Sequence, residues 1–201
     1  MATNVSMASR ALTLLRADSI SSFSESDIAN ELYEDHIKHL LSIHPWTFAT
    51  KKRQLSQDST GPINEYTYSH IIPAEALLIW AVFNNDNVGA KPVNDYDMYG
   101  TDSSRRIFSN YDTLYADYII YPDENVWPAY FAEFAINSLA SVFAIPVTGN
   151  ADLAKHYEQQ AYGSLSANRK GGLFGVATSM DSKQKRNEYI ISSPLTEARF
   201  S

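Results

Sequence analysis

Cysteine is absent from the 201 residues. That removes disulfides, thiolate metal sites and thiol nucleophiles together, and it suits a chain made and kept in a reducing cytoplasm. Clean apolar runs are also missing. The two longest, 71–83 and 129–147, are interrupted by Pro73, Glu75, Glu133, Asn137 and Pro146. A bilayer demands roughly 18 to 20 unbroken apolar residues, so no transmembrane helix is expected. Ser6, Ser9, Arg10 and Thr13 break up the first 16 residues, so no signal peptide is expected either.

The common constellations of chemistry are lacking as well. There is no Gly-x-Ser-x-Gly elbow. The run Gly171-Gly172-Leu173-Phe174-Gly175 lacks the Lys-Ser/Thr of a phosphate-binding loop and follows a helix instead of a strand, so it reads as a hinge. His36, His39 and His44, with Glu31 and Asp35, form one ligand-like cluster, but HExxH and Glu-x-x-His spacings are both absent and the cluster reads as a polar helix face. No catalytic, metal or cofactor-binding residue is assigned, and the expectation is a protein that is not an enzyme.

What is present is a hydrophobic fraction of 44% and 13 tyrosines, enough for one core with amphipathic rings left near the surface. The net charge of −7 is uneven. From Asn168 to Ser201 six basic residues face three acids, so this segment carries +3 and the remainder −10. An acidic body with a basic tail can steer the tail toward an acidic partner or a neighbouring copy.

Hydrophobic spacing predicts helices over 4–17, 25–43, 127–146 and 150–169, the second capped by Ser24 with Asp27 three residues on. Between them, 46–121 reads as a small antiparallel sheet, with strands at 46–55, 65–72, 78–84, 96–99, 106–108 and 115–121. The expected class is therefore α+β: about four helices in a bundle with an inserted β region. Residues 1–170 would form the body and 171–201 an extended C-terminal arm. The arm has too few apolar groups to fold alone but enough to anchor in a partner's grooves.

The order of these pieces resembles the tail tubular protein A family, the head-to-tail adaptors of short-tailed phages. The likeness rests on the first helix from Ala8 to Ala17, on Ile43-His44-Pro45-Trp46-Thr47-Phe48 closing the second helix, and on the segment from Tyr68 to Pro73. Further along, Arg106-Ile107-Phe108-Ser109-Asn110, Tyr118-Ile119 and the spacing of Pro128, Phe131, Ala135, Leu139 and Ala140 also match.

The resemblance implies a structural protein of the virion neck, assembled in the host cytoplasm, with no cofactor and no membrane. It implies a homo-oligomer, usually a twelve-fold ring, that binds the portal protein above and the tail nozzle protein below and continues the DNA channel. The portal-binding residues are then expected in the arm: Phe174, Lys183, Lys185, Arg186, Tyr189, Ile190, Ile191, Leu195, Arg199 and Phe200. The alternatives are another tail-completion or stopper protein of the virion, and a small enzyme with an unrecognised site.

Overall fold

The structure, a computed structural model, describes residues 3–59, 64–87, 89–100, 105–164 and 171–184. Among them it is mixed α+β, with five helices and two antiparallel sheets. The helices are α1 (Asn4–Leu14), α2 (Asp27–Ser42), α3 (Ala129–Thr148), α4 (Ala151–Tyr162) and α5 (Gly172–Ser182). The strands are β1 (Thr50–Gln54), β2 (Ser56–Gln57), β3 (Tyr68–Ile71), β4 (Leu78–Phe83), β5 (Tyr96–Gly100), β6 (Arg105–Ser109) and β7 (Tyr115–Ile119).

All four other helices pack on α3. Its Phe131, Phe134, Leu139 and Phe143 are fully buried with Met7 of α1 and Ile37, Leu40 and Leu41 of α2. By length and composition alone α3 would span a bilayer, and it runs through Glu133, Asn137 and Pro146 without a break. Here most of its apolar groups, though not Ile145, face the protein's own core. Burying four such side chains contributes on the order of 6–12 kcal/mol before chain entropy is counted.

Helix ends are set by individual residues. Thr3 closes a capping box on α1, and Arg16 in the left-handed region ends it at Leu14, three residues before the expected stop. Ser26, not Ser24, caps α2 by accepting from the Ala29 N–H. Gly149, at φ 66°, ends α3, and Asn150 caps α4 by accepting from the N–H groups of Asp152 and Leu153. Gly163 ends α4 well short of residue 169.

The β region differs more from expectation. There are two sheets, ordered β1-β7-β4 and β2-β3-β6-β5, where one small sheet was expected. Residues 46–49 are not strand. Trp46 is fully buried in the helical core and opens a 3-10 turn over Thr47–Ala49. Its indole N–H donates to the Leu40 carbonyl at 3.0 Å, and its own carbonyl accepts from Thr50 Oγ1 at 2.7 Å.

The chain then passes from the first sheet to the second at Leu55, whose N–H bonds to the Leu114 carbonyl at 2.8 Å. Leu55, Val82, Ile107, Leu114, Ala116 and Tyr118 form a second core drawn from both sheets. Strand β7 joins the two cores. Its alternation sends Ala116 and Tyr118 into the sheet core and Ile119 into the helical one.

Candidate docking site at the C-terminal helix

The segment assigned to an extended arm begins as a helix seated on the body. Gly171 serves as the N-cap of α5 and accepts from the Gly175 N–H at 2.9 Å, so the glycine run starts a helix and is no hinge. The α4–α5 junction is closed at its base, where the Gly171 N–H donates to the Tyr162 carbonyl at 3.0 Å. The two chains approach too closely for any side chain. A Cβ on Gly172 would sit 2.5 Å from the Gln160 carbonyl oxygen, and one on Gly163 would sit 2.8 Å from the Gly171 Cα. Both glycines also hold positive φ, at 58° and 81°.

Two side chains fix α5 in place. Phe174 enters the aromatic cluster of the helical core, with ring centroids 5.4 Å from Phe134 and 6.2 Å from both Trp46 and Tyr162. Asp181, one helical repeat beyond the buried Ala177, is itself fully buried. It accepts from the Thr47 backbone N–H at 2.9 Å, from Thr47 Oγ1 at 2.7 Å and from the Tyr130 hydroxyl at 3.1 Å, and His44 Nε2 lies 3.5 Å away. A buried carboxylate is tolerated when its oxygens are so satisfied. Carboxylate and burial together push the Tyr130 hydroxyl's pKa upward, burial being the larger cause. Beyond the helix, the Gln184 amide donates to the same Tyr130 hydroxyl at 3.2 Å.

Of the residues expected to bind the portal, Phe174 therefore packs on its own body, and Lys183 lies exposed in the turn after α5. Lys185, Arg186, Tyr189, Ile190, Ile191, Leu195, Arg199 and Phe200 lie outside the described residues. Sequence reasoning missed Asp181, which counted only as one acid within a basic stretch. The signal available was the helical spacing of Phe174, Ala177 and Asp181.

The histidines do not converge. His36 Nε2 is 2.8 Å from Ser138 Oγ, which in turn lies 3.0 Å from the Tyr162 hydroxyl, so α2, α3 and α4 are tied by one partly buried polar chain. Burial, helped by the neighbouring His39, lowers the His36 pKa to about 4. Ser138 is fully buried, which makes this pair a structural tie rather than an exposed nucleophile and base. Among the described residues no group of three or more His, Asp or Glu side chains is placed to hold a metal ion. No protein-family model matches this chain, and no curated protein matches it.

Proposed function

We propose that the chain is a structural head-to-tail adaptor of a phage virion, a ring subunit that binds the portal through its C-terminal segment and the tail nozzle through its β region. In this reading the helices form the portal-side bundle and the β region is its insert, with DNA passing through the ring. The observation that carries it is the Asp181 junction. A docking arm needs a fixed root, and here α5 is locked to α3 and the α2–β1 turn while the chain beyond Gln184 carries three cations against two acids.

Exposed apolar side chains lie at separate places, Trp80 on an edge strand, Val126 before α3 and Ile145 near its end, all about half exposed. Separate patches suit the unlike side faces that close a ring. The test is co-sedimentation with the cognate portal protein. The informative truncation ends after Gln184, because removal from Gly172 onward would strip Phe174 and Ala177 from the core. The shortened chain is expected to stay folded and to lose portal binding. Undiminished binding would overturn the role given to the segment.

A further inference from the structure

We infer that His44 and Asp181 form a proton-operated latch on α5: the protonated imidazole holds the helix against the body, and loss of that proton eases its release. His44 stands in the turn between α2 and Trp46, and it meets α5 at two points. Its ring lies 6.5 Å from that of Phe174, edge to face, and its Nε2 lies 3.5 Å from Asp181 Oδ2. Phe174 and Asp181 are two helical turns apart on one face of α5, and they are the side chains that fix it. One titratable ring thus touches both.

The surroundings favour that ring in its charged form. Asp181 is fully buried, whereas the His44 side chain keeps 22% of its surface exposed, so water can bring it a proton. A carboxylate shielded from solvent is best answered by a cation, and the Trp46 ring, 4.6 Å from His44, suits an imidazolium as well. The separation of 3.5 Å is longer than the roughly 2.8 Å of a closed charge-assisted pair. It has room to tighten once Nε2 is certain to carry hydrogen, as it does in the imidazolium.

The elements packed around the pair supply no rival switch among the described residues. Tyr130 of α3 donates to the same carboxylate, and its hydroxyl stays neutral because burial, with that carboxylate beside it, pushes its pKa up. Thr47 and Gln184 are polar groups that do not titrate. From α2, His39 sets its ring 6.2 Å from His36, and from α4 the Tyr162 hydroxyl engages Ser138. Lys183 is exposed. Linkage then fixes the sign. The docked helix presents a carboxylate to His44 and the released helix does not, so docking takes up a proton and is favoured as pH falls. His36, its pKa lowered by burial, pulls the core the other way. Release adds the 11 residues of α5 to the segment that a partner can capture.

The latch belongs to the single chain and stands whether or not the ring reading does. Hydrogen exchange at the α5 amides of the full-length protein, corrected for the intrinsic pH dependence of exchange, tests it. Opening of α5 is expected to be at least about fivefold rarer at about pH 5.5 than at about pH 8, values on either side of the ordinary imidazole range. His44→Gln, at a partly exposed site, should keep α5 docked and flatten that difference, while His36→Gln should preserve it. Followed by NMR, the His44 imidazole should titrate at lower pH in Asp181→Asn than in the parent. A difference that survives His44→Gln or vanishes in His36→Gln would overturn the latch, and so would an imidazole that titrates alike with and without the carboxylate.

Discussion

Asp181, fully buried, and His36, partly buried, are polar side chains at helix junctions, and each makes a measurable prediction. Asp181→Ala leaves the Thr47 N–H and the Tyr130 hydroxyl without their acceptor, so a loss of about 3 kcal/mol is expected in urea unfolding. Thr47→Val removes one hydroxyl and keeps the backbone donor, and should lose about 1 kcal/mol.

His36 sets a pH dependence. Its pKa falls from about 6.5 unfolded to about 4 folded, so between those values the unfolded chain binds more protons. Stability is then complete above about pH 6.5 and declines as pH falls toward 4, by about 3 kcal/mol in all. His36→Gln, which can still reach Ser138, should flatten that part of the profile in thermal unfolding followed against pH. Neither role was legible beforehand. His36 and His39 stand at i, i+3 and read as one polar helix face, whereas His36 in fact turns to a partner 102 positions away.

At the scale of elements, the four helices up to residue 162 follow from apolar spacing because that spacing is what packs them on α3. Their ends do not follow so directly. The stop of α1 depends on Arg16 adopting a left-handed conformation, and the stop of α4 on Gly163 meeting Gly171 in space. Helix α5 was hidden by its composition, since two glycines, Thr178 and two serines in 11 residues are weak helix formers. Tertiary contact supplies what propensity lacks.

The contact is tight enough to test. Gly172→Ala places a methyl 2.5 Å from a carbonyl oxygen at positive φ, so it should destabilise by about 2 kcal/mol or more and expose the amides of α5 to hydrogen exchange. Gly100→Ala, with nothing within 4 Å, should be nearly silent.

At the scale of the whole molecule, composition announced two features and hid a third. An α+β plan and a polarised charge were readable, but the division into helical and sheet cores was not. That division depends on Leu55, where the chain changes sheet, and on the two-sided burial of β7. Both are matters of long-range pairing that a local alternation of apolar residues does not specify.

The charge polarity leads to the last prediction, which belongs to the assembled state proposed above. If the segment after Gln184 meets the portal by charge, raising ionic strength from about 0.05 to about 0.5 M shortens the screening length from about 14 to about 4 Å and should weaken co-sedimentation roughly tenfold. Reversal of Lys183, Lys185 and Arg186 should do the same at low salt. Salt-independent binding would leave Tyr189, Ile190, Ile191, Leu195 and Phe200 as the anchors.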